Sequence, residues 1–367
     1  MKPALPRWAA VNLRNRQIAM LKASAATKQR SFVTASITVR GADTTGIVSV
    51  TNLKKSYGDF TAVDDISFDI EQGEIFGFLG PNGAGKTSTI NMMIGLSRPS
   101  AGAIAVDGID AVKQTKKAQT IMGIVPDDSN LYNEMEGFDN LCFCASLYGM
   151  SKAEREPRAR QLLEQFRLKE AGKRPFMAYS KGMRRKLTIA AAIIHSPRIL
   201  FLDEPTTGID VESARQIREL ILELKAQGTT VFITTHYIED AERICDRIAF
   251  IVGGKIVASG TVEQLMESVS HGHAIQLATD DNVEEFAAEL QNWFDGSKVE
   301  IRPDHSLVIV SEQRIPLLPV MQYFDGKGVA VYEAKELRPT LEDVFVKLTG
   351  LESSKLKSEK EKGGAGQ

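Results

Sequence analysis

Residues 80 to 87 read Gly-Pro-Asn-Gly-Ala-Gly-Lys-Thr, an instance of G-x-x-x-x-G-K-[ST] set between an apolar run and a helical pattern. The glycines Gly80, Gly83 and Gly85 let the backbone turn without Cβ clashes, so that successive N–H groups converge on one anion. Lys86 adds a point charge at the outer phosphates, and Thr87 offers a hydroxyl to Mg²⁺. A helix expected from Lys86 to about Ile94 points its positive end at the same place. Glu74 to Leu79 supplies the strand that must precede such a loop. A chance glycine-rich turn beside a surface lysine is the alternative, and the strand and helix on its two sides weigh against it. The loop therefore predicts an α/β fold that binds a nucleotide, with Gly80, Pro81, Asn82, Gly83, Ala84, Gly85, Lys86, Thr87 and Ser88 as its candidate ligands.

A length of 367 residues with 43% hydrophobic composition allows two folded units. The net charge of -2 offers no surplus of Lys and Arg, so no nucleic-acid partner is expected and any bound polyanion is small. Apolar stretches such as Leu187 to Ile194 fall far short of the roughly 20 residues that span a bilayer. Cys142, Cys144 and Cys245 are too few and too oddly spaced for a disulfide framework or a zinc site. Reduced thiols and a cytoplasmic setting are the expectation.

Residues 1 to 42 contain no acidic residue and are rich in Ser, Thr and Ala, so 1–46 reads as a basic, disordered extension. A transit peptide, or a true start at Met20, fits the same composition. An α/β domain is expected over 47–268, with strands near Val48 to Leu53, Thr61 to Ile70, Arg198 to Leu202 and Thr230 to Thr234. Strand signals vanish over about 131–195, where helices are expected at Asn140 to Gly149, Lys152 to Phe166 and Arg184 to Ile194. Beyond a hairpin turning at Gly253-Gly254, residues 272–350 read as a small α+β unit. Its order β-α-β-β-α-β suggests a ferredoxin-like sandwich. Residues 351–367 read as a disordered tail.

Ile199 to Glu204 is a second apolar strand, and it ends in two carboxylates. Beside a phosphate loop, Asp203 is a candidate Mg²⁺ ligand, directly or through water, and Glu204 a candidate to orient and deprotonate an attacking water. A buried strand capped by surface acids is the alternative. The pairing points to hydrolysis of the nucleotide rather than to its storage.

Tyr179-Ser180-Lys181-Gly182-Met183-Arg184-Arg185-Lys186 precedes this strand and resembles the signature motif of ABC-transporter ATPases, in the exporter form Tyr-Ser-x-Gly-Met. His236, after the strand Val231 to Thr235, resembles the switch histidine of that family, and Thr207-Gly208-Ile209-Asp210 its D-loop. Tyr57 stands where the family places an aromatic ring against adenine. These matches keep the family's order and cover roughly Ile47 to Met266.

The resemblance implies a P-loop NTPase: a RecA-like core with an antiparallel β subdomain and a helical insertion. ATP and Mg²⁺ are the implied ligands and ATP hydrolysis the implied activity. Lys86, Glu204 and His236 would serve catalysis, His236 by hydrogen-bonding the γ-phosphate and coupling it to Glu204. Thr87, Asp203 and Asp127 would face the metal, and Tyr57 would stack on the base, an interaction worth roughly 1–3 kcal/mol. Ser180, Lys181, Gly182 and Asp210 would act in trans, reaching the nucleotide held by a second copy of the chain. The implied assembly is a head-to-tail homodimer with two ATP at its interface.

Asp127 departs from the pattern, because the family's usual residue after Gly123-Ile124-Val125-Pro126 is Gln. A carboxylate there keeps a hard oxygen ligand and adds negative charge. Lys181 and Met183 stand where the commonest signature has Gly and Gln, as in several exporter subfamilies. The segment Arg338 to Phe345 resembles the end of ATPases from drug-exporter and related two-component systems. That implies separate transmembrane permease subunits and a place on the cytoplasmic face of the membrane. A soluble ABC-type regulatory or scaffold protein is the runner-up. A metabolic kinase explains the phosphate loop but leaves Ser180, Asp210 and His236 without roles.

Overall fold

A computed structural model of the chain describes residues 46–268, 273–279, 284–293, 297–302, 306–337 and 339–350. The expected basic extension up to residue 45 and the tail from 351 lie outside the described residues. The first elements alternate buried and open positions, the pattern of strands with one wet face. β1 (Val48–Tyr57) and β2 (Phe60–Ile70) pair as an antiparallel hairpin. β3 (Ile75–Leu79) does not alternate, since all 5 of its residues are buried, and it leads through the phosphate loop into α1 (Lys86–Met93). β4 (Ala101–Val106) and β5 (Ile109–Asp110) complete an antiparallel sheet of order β2-β1-β4-β5. After α2 (Thr115–Gln119) and β6 (Met122–Val125) come α3 (Gly137–Leu147), α4 (Lys152–Gln165) and α5 (Lys181–Ala192) with no strand between them. The chain then alternates again: β7 (Ile199–Asp203), α6 (Val211–Ala226), β8 (Thr230–Thr235), α7 (Ile238–Ile244), the hairpin β9 (Arg247–Val252) and β10 (Lys255–Thr261), and α8 (Val262–Glu267).

The central sheet has the order β10-β9-β3-β8-β7-β6, parallel throughout except for the β9–β10 hairpin. Strands buried on both faces need cover from both sides, and the alternation within β3 divides the core accordingly. Ile75 and Leu79 join one cluster with Leu187, Ile189, Ile217 and Ile221 of α5 and α6. Phe76 and Phe78 turn to the other face, where they pack with Phe68 of the antiparallel sheet and with Phe232 at ring-centroid distances of 5.5–6.3 Å. The fold is thus the P-loop NTPase architecture expected, with a helical insertion between β6 and β7.

β11 (His273–Thr279), α9 (Glu284–Trp293), β12 (Lys298–Ile301), β13 (Leu307–Ser311), α10 (Leu317–Gly326) and β14 (Val331–Leu337) follow. Their antiparallel sheet runs β12-β13-β11-β14 over a core of its own that includes Ile275, Leu277, Leu290, Ile309 and Phe324. α11 (Leu341–Thr349), opened by a capping box of Thr340 and Asp343, turns back. Its Leu341, Val344 and Phe345 join the core of the central sheet, where the Phe345 ring meets Phe250 at 5.6 Å. No helix among the described residues is long and apolar enough to cross a membrane.

Two helices of the insertion begin earlier than the sequence pattern predicts. α5 starts at Lys181 rather than Arg184, because the Ser180 hydroxyl accepts the Met183 N–H at 3.3 Å and caps the helix ahead of its apolar face. α3 starts at Gly137 rather than Asn140, since the Asn140 side chain turns back to Tyr132, Met135 and Glu136 and pins the entering loop.

The helical insertion is tied to the sheet at His195, just beyond α5. Its ring stacks on Tyr148 at 3.5 Å and 5°, and its Nε2 lies 3.0 Å from the Met122 carbonyl. Nδ1 is buried and has no hydrogen-bond partner among the described residues. Burial pulls the imidazole down to about 4 against the opposing effect of the Met122 bond. The unfolded ring, near 6.5, therefore takes up its proton first as pH falls. The stability contributed by a neutral His195 is present above pH 6.5 and is lost on acidification, about 3 kcal/mol by pH 4. His195→Phe keeps the stack without the titration. Its unfolding free energy, measured by denaturant at several pH values, is expected to gain on wild type by that amount between pH 7 and pH 4. A pH-independent difference contradicts this assignment.

Candidate functional site

Register decides what meets at the carboxyl end of the parallel sheet. Leu79 pairs with Thr235, Asp203 with Thr234, and Val125 with Leu202, so β3, β8, β7 and β6 all end at one edge. The phosphate loop, Glu204, His236 and the segment Pro126-Asp127 leave from that edge, the usual place for a ligand in an α/β sheet. Gly85, before α1, has φ 107, and a Cβ there would come 2.5 Å from the Ala62 carbonyl oxygen. Only glycine meets both conditions at this position.

Lys86 is buried and does not reach into solvent. Its Nζ donates to the Gly80 carbonyl at 2.7 Å and the Pro81 carbonyl at 3.3 Å, and it lies 3.4 Å from Glu204 Oε1. The other oxygen of Glu204 accepts from His236 Nδ1 at 2.7 Å and from the Thr207 hydroxyl at 2.9 Å. One carboxylate thus joins the phosphate loop to the residue after β8. Burial pushes the Glu204 carboxyl up, but the His236 hydrogen bond and the Lys86 charge outweigh it and hold the group below its ordinary value. Glu204 itself has φ 49, a left-handed conformation that costs a residue with a side chain on the order of 1–3 kcal/mol and aims the carboxylate away from the strand.

Asp203, buried at the end of β7, accepts from the Thr234 hydroxyl, and that same hydroxyl lies 3.2 Å from the Glu204 N–H. Burial, reinforced by the charges of Glu204 and Asp127, pushes Asp203 above its ordinary value against the Thr234 bond. Asp127 is half-buried, and its Oδ1 lies 3.9 Å from the Arg185 guanidinium. Arg185 also donates to the carbonyls of Pro126 and of Asp127, which clamps α5 to the end of β6. The donors Thr87, Asp203 and Asp127 are all oxygens, a set that suits a hard cation. No three His, Cys, Asp or Glu side chains gather as a metal site among the described residues. Cys142, Cys144 and Cys245 are free thiols.

The structure sorts the remaining candidates into two places. Tyr57, at the tip of the β1–β2 hairpin, is 51% exposed, with the Lys55 ammonium 4.7 Å from its ring centroid. It is an exposed ring and not a core tyrosine. Ser180, Gly182 and Asp210 form a second group at the starts of α5 and α6. Ser180 and Asp210 are the exposed caps of these helices, Asp210 accepting from the Ser213 N–H at 2.9 Å. Gly182 is pressed on α6 so closely that a Cβ would sit 2.2 Å from Ser213 Oγ. Helix starts leave N–H groups unpaired, and Lys181 and Gly182 carry such donors. Their contacts are with Met183 and Ser213, and not with the phosphate loop of the same chain. Thr234 and Arg185 escaped the sequence reading, because their partners are known only from strand register and helix docking.

Comparison with known proteins returns a consistent likeness. The family model described as ABC transporter matches residues 63–207. A linearmycin resistance ATP-binding protein of Bacillus subtilis (strain 168) is 36% identical over 301 residues, covering 82% of this chain and 97% of the relative. The Nod factor export ATP-binding protein I of Cupriavidus metallidurans is 34% identical over 313 residues, covering 84% and 99%. A solved dimeric ATP-binding cassette in a post-hydrolysis state, bound to ADP and Pi, superposes with TM-score 0.54 at 27% identity, over 58% of this chain and 98% of its own.

Thr234→Val is expected to leave the buried Asp203 carboxylate without its donor and to cost about 1–3 kcal/mol of stability, read by denaturant unfolding, whereas Thr234→Ser stays near wild type. Equal stability of the Val and Ser variants contradicts this role.

Proposed function

The chain belongs to the ATP-binding proteins of ABC transporters, and from that membership we propose how its residues drive an exporter. It binds and hydrolyses ATP as the ATP-binding subunit of an exporter-type system. The observation that carries the residue assignment is the Glu204 carboxylate bridging Lys86 and His236 at the mouth of the phosphate loop.

In this reading Lys86 and the loop N–H groups hold the β- and γ-phosphates, and Tyr57 stacks on the base. Mg²⁺, held by Thr87, Asp203 and Asp127, would neutralise charge on the phosphate oxygens. Glu204, kept ionised by its two partners, accepts a hydrogen bond from the attacking water and orients it at the γ-phosphorus. His236 faces Glu204 through Nδ1, so its Nε2 is the ring atom left to meet a γ-phosphate oxygen. Ser180, Lys181, Gly182 and Asp210 lie in a separate group, and this is the basis for completing each site with a second copy arranged head to tail. Two ATP would then lie at the dimer interface. Closure and reopening would move separate transmembrane permease subunits, with the ATPase on the cytoplasmic face. The division into a nucleotide-binding domain over 47–268 and an accessory unit over 272–350 belongs to the same proposal.

Glu204→Gln removes the charge and keeps the shape. It is expected to lower steady-state ATP turnover by roughly 10²–10⁴ while ATP binding, measured by equilibrium titration, persists; near-normal turnover would sink the assignment. Asp127→Gln tests the departure from the family pattern. The added carboxylate beside Asp203 predicts that the variant shifts the Mg²⁺ and pH profiles of hydrolysis, and unchanged profiles refute it.

A further inference from the structure

Asp240 lies on α7, four residues past His236, and is buried. Both of its carboxylate oxygens are taken, by two different elements. The hydroxyl of Thr206, also buried, donates to Oδ2 at 2.6 Å, and Arg218 Nη1 on α6 donates to Oδ1 at 2.6 Å. Thr206 stands two residues after Glu204, and its neighbour Thr207 donates to Glu204 directly. Asp240 therefore closes a ring: Glu204 to His236 across the site, His236 to Asp240 along the chain, and Asp240 to Thr206 back beside Glu204.

The apolar residues of α7 pack on β3, β8, α6 and α11, which seats the helix as a whole. On its polar side lies an open pocket of about 480 Å³, bordered by Thr206, Ile209, Arg218, His236 and Asp240. There the segment after Glu204 is joined to α7 by the Thr206–Asp240 hydrogen bond, and α6 is joined to it by the Arg218–Asp240 pair. Both bonds end on a carboxylate, which makes them short and directional.

We propose that Asp240 is a positioning residue for hydrolysis: by binding Thr206 and Arg218 with one carboxylate, it keeps His236 in register with Glu204. The inference rests on the reading that Glu204 and His236 act in hydrolysis. Misplacement of about 1 Å at such a site can cost on the order of 10²-fold in rate.

The test is ATP turnover by the full chain, with ATP affinity measured separately. Asp240→Asn is expected to lower kcat roughly tenfold or more with KM for ATP nearly unchanged. Thr206→Val, which leaves the Arg218 pair intact, should repeat the loss, and Thr206→Ser, which keeps the hydroxyl, should restore it. In a His236→Ala background Asp240→Asn should slow turnover no further, because it acts through that histidine. A further, multiplicative loss in that background, a rise in KM alone, or full activity of both Asp240→Asn and Thr206→Val overturns the proposal. If Asp240→Asn fails to fold, the Thr206 pair decides. Glu204→Gln and His236→Ala run in the same assay separate the two levels. If they are fast, the reading of the site falls. If they are slow while Asp240→Asn and Thr206→Val are fast, only the role of Asp240 falls.

Discussion

The Glu204 carboxylate is the point at which the sheet, the phosphate loop and the residue after β8 become one site. A buried charge at this depth is tolerated only when it is paired and hydrogen-bonded, and Glu204 meets that demand with an ammonium, an imidazole and a hydroxyl from three different segments. Thr207 reaches it through a local turn three residues on, but Lys86 and His236 do not come by local geometry. β3, β7 and β8 lie side by side in parallel register, and their carboxyl ends deliver Lys86, Glu204 and His236 to the same few ångströms. The left-handed backbone at Glu204 is the local concession this requires, and the N–H bond from Glu204 to Thr234 holds it in place.

Lys86 spends its donors on its own loop and on Glu204, whereas the capped helix starts at Ser180 and Asp210 sit in a separate, exposed group. The structure places Gly182 so near Ser213 that α5 and α6 approach as a unit.

Much of this was legible before the structure, for a physical reason. A glycine loop, an apolar strand ending in two acids and a histidine after a strand each carry their chemistry in contiguous residues, so order along the chain was enough to read them. Tyr57 was legible as to position, and its exposure then set it apart from a core residue. Thr234, Arg185, Thr206 and Asp240 were not legible. A threonine in a strand or an aspartate in a seven-residue helix has no distinguishing spacing, and its partner lies across the sheet or on another helix. Helix starts failed for a related reason. The periodic apolar face of α5 begins after its cap, so pattern alone placed the start three residues late.

α11 had no sequence signal for where it docks, and its docking bears on the site. Its Leu341, Val344 and Phe345 are buried in the core of the central sheet, against α7, α8 and β10, and not in the core of the small sheet that precedes it. α7, which also packs on β3, β8 and α6, is thereby held by two unlike kinds of contact. α11 contributes apolar contact, which is broad and tolerant of small shifts, while Asp240 contributes two directional bonds on the side of the cavity. Tyr237 alone separates His236 from α7, so the contacts that seat this helix, those of α11 among them, also bear on where the histidine sits beside Glu204.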